Sequence, residues 1–66
     1  MKYEIGDMIV YSAFGGEKRT IIVDEKEEDI KNGRPGFGGI IISSSEPSDK
    51  TGQSVWGYDS QIIEVK

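Results

Sequence analysis

Met8-Ile9-Val10-Tyr11-Ser12-Ala13-Phe14-Gly15-Gly16-Glu17-Lys18-Arg19-Thr20-Ile21-Ile22-Val23-Asp24 is the stretch that decides the fold. Its first part alternates: Met8, Val10 and Ser12 fall on one face of an extended strand, and Ile9, Tyr11 and Ala13 on the other. Gly15-Gly16 then supplies two residues that accept the positive φ of a primed hairpin turn. Residues 19–24 form a second strand, rich in β-branched side chains. The apolar period here is two, and helix-period patterning is hard to find anywhere in the chain.

Working outward, residues 3–5 lead through a Gly6-Asp7 turn into the first strand, which spans residues 8–14. On the other side, residues 25–32 (EKEEDIKN) carry one apolar side chain, Ile30, too few for a stable helix. They read as a charged connector that can extend strand two. Gly33-Arg34-Pro35-Gly36 reads as a turn, and residues 37–44 as a third strand. Gly38 and Gly39 within it suggest a bulge or the close approach of another backbone. Residues 45–53 are a polar, turn-rich loop, residues 54–58 a fourth strand, residues 59–61 a short turn and residues 62–65 a closing strand. Five short antiparallel strands in one small domain covering residues 1–66 point to an all-β fold, a closed or nearly closed barrel. Closure would also remove exposed strand edges.

The composition narrows the function. The chain has 66 residues, no Cys and no His, with 8 basic against 12 acidic side chains and a net charge of −4. About 60% of the unfolded surface is buried in a domain of this size, a small margin for stability. Without Cys there are no disulfides and no thiolate metal sites. Without His, the Ser-His-Asp and Cys-His nucleophile systems are impossible. A non-enzymatic role without a cofactor is expected, since so small a domain has little room for an enclosed pocket. The remaining catalytic option is a carboxylate, Asp59 beside Tyr58. Acidity disfavours nonspecific nucleic-acid binding. No apolar run approaches the roughly 20 residues that span a bilayer, and Met1-Lys2 opens no signal peptide, so a cytoplasmic location away from membranes is expected.

The C-terminal run Val55-Trp56-Gly57-Tyr58-Asp59-Ser60-Gln61-Ile62-Ile63-Glu64-Val65 resembles the end of SH3-like small barrels. There a fourth strand, one 3₁₀ turn and a short fifth strand follow one another. The opening Ile5-Gly6-Asp7-Met8-Ile9-Val10-Tyr11 is similar to the x-G-D-x-V start of many bacterial SH3-like and KOW-like barrels. Gly33-Arg34-Pro35-Gly36-Phe37 and Val55-Trp56-Gly57-Tyr58-Asp59 also resemble short uncharacterised bacterial and phage proteins. The resemblance implies a five-stranded SH3-like barrel. Such barrels host many roles, so it does not imply a function. The ALYDY-type aromatic run of eukaryotic SH3 peptide grooves is missing; Tyr11-Ser12-Ala13-Phe14 stands in its place.

The aromatics are the main candidates for contact. Trp56 and Tyr58 share one face of their strand. If Val55 points inward they form a surface platform; if Trp56 points inward it is the central core residue. The expected function is an adaptor or binding module that engages a protein partner, another copy of itself included, through Trp56, Tyr58 and Phe37, with Arg34 and Tyr11 as further contacts. The alternative is a nucleic-acid accessory that stacks bases on the aromatics and meets phosphate with Lys18, Arg19 and Arg34. The acidic cluster Asp24, Glu25, Glu27, Glu28 and Asp29 lacks EF-hand spacing and reads as a solvated surface or a dock for a basic partner. Gly33-Arg34-Pro35-Gly36-Phe37-Gly38-Gly39 matches neither a dinucleotide fingerprint nor a P-loop.

Overall fold

Alternation in the sequence becomes pairing in the computed structural model, which describes residues 2–66. The strands are β1 (Met8–Ser12), β2 (Lys18–Lys31), β3 (Arg34–Ser44), β4 (Ser54–Tyr58) and β5 (Ile62–Val65), with a 3₁₀ turn at Asp59–Gln61 before the last. They form one antiparallel sheet in the order β4-β3-β2-β1-β5. The fold is all-β, as the two-residue period implies.

The charged connector does extend strand two. Residues 25–31 are strand, with Lys26 paired to Phe37 and Lys31 to Arg34. The turn is Asn32-Gly33, not residues 33–36, and both residues have positive φ, 58° and 71°. That is the backbone of a two-residue primed turn, which Asn and Gly adopt most readily. The Gly33 N–H also donates to Asp29 Oδ1 at 2.8 Å. The irregularity expected at Gly38-Gly39 is real but lies on the opposite strand. Val23 pairs with Gly39 and Glu25 with Gly38, so Asp24 is the extra residue. Gly39 is where backbones crowd: a Cβ there would lie 2.4 Å from the Ile22 carbonyl oxygen.

The core lies on one face of this sheet. Ile9 and Tyr11 of β1, Ile21 and Val23 of β2, and Phe37 and Ile41 of β3 are buried, with Tyr3 and Ala13 closing the ends. Among the described residues no second layer covers them, so the sheet wraps around its own side chains. The Cα radius of gyration, 10.7 Å, matches the ~10.8 Å of a compact chain of this length. At the centre, Phe37 meets Tyr11 edge-on (centroids 5.0 Å) and Tyr3 likewise (6.0 Å). Gly57 sits opposite Phe37 in the ladder and leaves room for its ring.

The wrapping stops short of a closed barrel. β4 and β5 are the two edges of the sheet and do not pair with each other. The 3₁₀ turn carries the chain from one edge to the other, and a side chain spans the seam. Gln61 Oε1 accepts the Tyr58 N–H at 2.7 Å, and Gln61 Nε2 donates to the Ser12 carbonyl at 2.8 Å. One amide thus replaces a strand ladder between the ends of β4 and β1.

Two substitutions test this core. Phe37→Ala opens a cavity and is expected to cost about 3–5 kcal/mol, comparable with the roughly 3–10 kcal/mol total for a domain of this size. Gly57→Ala puts a methyl group 2.8 Å from Phe37 Cζ and 3.3 Å from Tyr11 Cε2, and is expected to cost about 1–3 kcal/mol. Urea melts followed by circular dichroism measure both. A Phe37→Ala chain with an unchanged midpoint would remove Phe37 from the centre of the core.

Candidate functional site, an aromatic cluster at the sheet seam

Along β4, Val55 packs against the core and Gly57 faces Phe37 and Tyr11, so Trp56 and Tyr58 point the other way. Neither alternative is realised whole: Trp56 is half-exposed on the outer face, while Tyr58 is buried beneath its neighbours. Phe14, in the β1–β2 loop, folds over both rings. Its centroid lies 5.1 Å from Trp56 and 6.0 Å from Tyr58, while Trp56 and Tyr58 are 5.3 Å apart at 83°. Phe14 is 64% exposed and Trp56 half-buried, and Tyr58 lies beneath at 8%.

Two cations frame the rings. The Arg34 guanidinium lies 4.0 Å from the Tyr58 centroid, and the Lys31 ammonium 5.4 Å from the Trp56 centroid. Arg34 Nη2 donates to Ser60 Oγ at 3.0 Å, and Asn32 Nδ2 donates to the Tyr58 hydroxyl at 3.2 Å. Beside the cluster runs a shallow, open groove of about 570 Å³, lined by Ala13, Phe14, Arg34, Tyr58, Ser60 and Ile63 among others. Ile63 reaches it because of a bulge. Val10 pairs with Glu64 and Tyr11 with Ile62, so Ile63 has no partner on β1 and is 43% exposed.

Of the residues singled out in the sequence, Trp56, Tyr58 and Arg34 come together. Phe37 and Tyr11 do not join them. Both are 0% exposed, because Phe37 shares the inward face with Gly57 and Tyr11 alternates in step with Ile9. They are core residues and offer no contact surface. Phe14 and Lys31 are the members that the sequence reading missed. Phe14 falls on the same outward alternation as Met8, Val10 and Ser12. Lys31 becomes legible once Asn32-Gly33 is taken as the turn, since that turn pairs it with Arg34.

The basic trio for the nucleic-acid alternative is dispersed. Arg19 pairs with Ser44 at one end of β3, and Arg34 stands at the other. Arg19 is also occupied. It makes two bonds to the Asp49 carboxylate (2.8 and 3.0 Å), donates to the Tyr11 hydroxyl at 3.1 Å, and lies 3.4 Å from Glu17. The Ser44 hydroxyl donates to the same Asp49 carboxylate at 2.6 Å. These bonds pin the polar loop to β2. They hold Arg19 protonated above its ordinary range and Asp49 below the usual carboxylate range.

Asp59 is occupied as well. It accepts the Tyr3 hydroxyl at 2.5 Å, and that hydroxyl also reaches the Gly36 carbonyl at 3.2 Å. Burial first, and then Asp59, push the Tyr3 phenol above its usual value. The groove lining includes Tyr58 and Ser60 but not Asp59. Among the described residues no group of three or more acidic side chains is placed to hold a metal ion, and no helix is long and apolar enough to cross a membrane. Comparison with protein-family models, curated proteins and solved structures finds no match to this chain.

Trp56→Ala is expected to cost about 1–2 kcal/mol, because it removes ring contacts at a half-exposed cluster and not at the core. A thermal melt that shows a loss as large as that of Phe37→Ala would put Trp56 in the core instead. Asp49 gives a pH-dependent prediction. Its folded-state pKa is depressed below 3.8, so its stabilisation is present above pH 3.8 and is lost as pH falls through the folded value. Asp49→Asn should therefore destabilise the chain at pH 7 and converge on wild type in strong acid. Paired urea melts across pH 2–7 measure this, and a constant difference would show that the Asp49 charge carries no stability.

Proposed function

We propose that this chain is a non-enzymatic binding module that engages a protein partner through the Phe14–Trp56–Tyr58 cluster. One observation carries the reading. A domain with a complete aromatic core of its own holds a second aromatic cluster, in which Phe14 is exposed, Trp56 half-exposed and Tyr58 buried beneath them. Exposed rings with a polar surround are what protein interfaces use as anchors, because burying them against a partner releases water from large apolar faces. Arg34, Lys31, Asn32 and Ser60 supply that surround. Their order on the chain also supports an SH3-like assignment: the last two strands are joined by a single 3₁₀ turn, as the C-terminal run suggested. The proposed compartment is the cytoplasm.

The test is affinity capture from a lysate of the source organism, with and without nuclease, using wild-type and Phe14→Ala chains as bait. Phe14 is exposed, so its removal spares the core. A protein held by wild type after nuclease treatment and lost with Phe14→Ala is the expected result. Capture that persists with Phe14→Ala would mean the partner sits elsewhere. Capture abolished by nuclease would favour nucleic acid as the ligand.

A further inference from the structure

The reading of the aromatic cluster as a contact surface leaves its two cations unexplained. The chain has 12 acidic side chains and a net charge of −4, yet among the described residues only two of its eight Lys and Arg side chains form ion pairs. Arg19 is paired with Asp49 and Glu17, and Lys26 lies 3.7 Å from Glu4. Arg34 and Lys31, among the described residues, meet no carboxylate within ion-pair distance. Instead they stand over Tyr58 and Trp56. Arg34 uses one N–H on Ser60, and its remaining donors are unclaimed among the described residues. A guanidinium already held by a ring and a hydroxyl has lost much of its freedom before any ligand arrives, so a carboxylate that meets it costs less ordering.

We propose that the groove between Phe14, Tyr58 and Ile63 binds an extended acidic–apolar peptide segment of a partner protein, with a carboxylate on Arg34 and an adjacent apolar side chain against Phe14. The proposal rests on the binding-module reading and specifies its ligand. Charge complementarity selects the occupant. The groove offers one cation, Arg34, beside the apolar side chains of Phe14 and Ile63, which suits a carboxylate flanked by an apolar residue, and Lys31 stands beside it over Trp56. A nucleic acid would bring a run of phosphates. It would find one cation, Arg34, in the groove lining, too few for a run of phosphates but enough for a single carboxylate. A basic segment would meet Arg34 and Lys31 as like charges.

Trp56 is the only tryptophan in the chain, so its fluorescence reports on the cluster directly. A random dodecapeptide library displayed on phage is panned against the folded wild-type chain and against Arg34→Gln and Phe14→Ala. Arg34 and Phe14 are exposed, and circular dichroism melts verify that the variants fold. Peptides selected by wild type should carry Asp or Glu next to an apolar residue and perturb Trp56 emission on titration. The best such peptide should bind about tenfold more tightly than its Asn/Gln counterpart, the scale of one charge-assisted hydrogen bond. That ratio should fall toward one with Arg34→Gln, and Phe14→Ala should weaken both peptides. Selection of binders without acidic residues would overturn the carboxylate assignment and leave the binding-module reading standing. Failure to select any peptide would overturn this inference, while the lysate capture would still decide the broader reading. Quenching of Trp56 by an oligo-dT strand, reversed by salt, would overturn both.

Discussion

A single sheet can bury a core only by wrapping on itself, and the contact of Phe37 with Tyr11 and Gly57 sets how tightly this one wraps. Phe37 projects from β3 into space bounded by Tyr11 of β1 and by the bare backbone of β4 at Gly57. A side chain at position 57 would hold β4 away and open the core. Its absence lets β4 close down on the ring. Everything else on β4 follows from that choice. With Gly57 inward, the pleat turns Trp56 and Tyr58 outward. The central packing contact and the surface cluster are thus two faces of one strand.

The aromatics divide accordingly. Tyr3, Tyr11 and Phe37 pack in the core, while Phe14 and Trp56 stack on the outer face of β4 over a buried Tyr58. The two buried tyrosines are not plain apolar filler. Tyr3 donates to Asp59 and to the Gly36 carbonyl, and the Tyr11 hydroxyl accepts from Arg19. Each buried hydroxyl is therefore satisfied, and each ties a loop or terminus to the sheet. Tyr3 anchors the N-terminal segment to the 3₁₀ turn. Tyr11 joins the network of Arg19 and Asp49 that holds residues 45–53. A chain without disulfides secures its loops by polar groups at the core boundary.

Much of this was legible in the sequence, and the failures have physical causes. The alternation of residues 8–13 separated the two faces of β1 without saying which is buried, and Ser54–Tyr58 is the strand it looked to be. The extension of β2 was open but undecided, because residues 24–29 are polar on both faces. Pattern reading relies on one face being buried, and here the pairing is held by ladder bonds and the Asn32-Gly33 turn. The choice between core and surface for Trp56 was undecidable along one strand, since either phase of the alternation was open. It was settled across strands, by Phe37 needing the space at Gly57. Phe37 and Tyr11 were named as contacts because aromatic identity alone does not reveal direction. Whether the barrel is closed or only nearly so was left open for a different reason: a count of strands says nothing about whether the last edge meets the first, and here it does not.

That unclosed seam explains where the groove lies. Regular pairing ends at Tyr58 on one edge and resumes at Ile62 on the other, with the 3₁₀ turn between them. Backbone groups near such a break must find other partners, and Gln61 serves the Tyr58 N–H and the Ser12 carbonyl. The residues around the break are then released from the sheet's register. Ile63 bulges out, Ser60 turns toward Arg34, and Phe14 drapes over β4 from the adjacent loop. An apolar surface with unpaired cations collects where the sheet cannot cover itself. A fully closed ladder would have paired the strand edges and left no concave ground between them. The same economy of one sheet around one core that makes this small chain foldable also leaves an open groove at its seam.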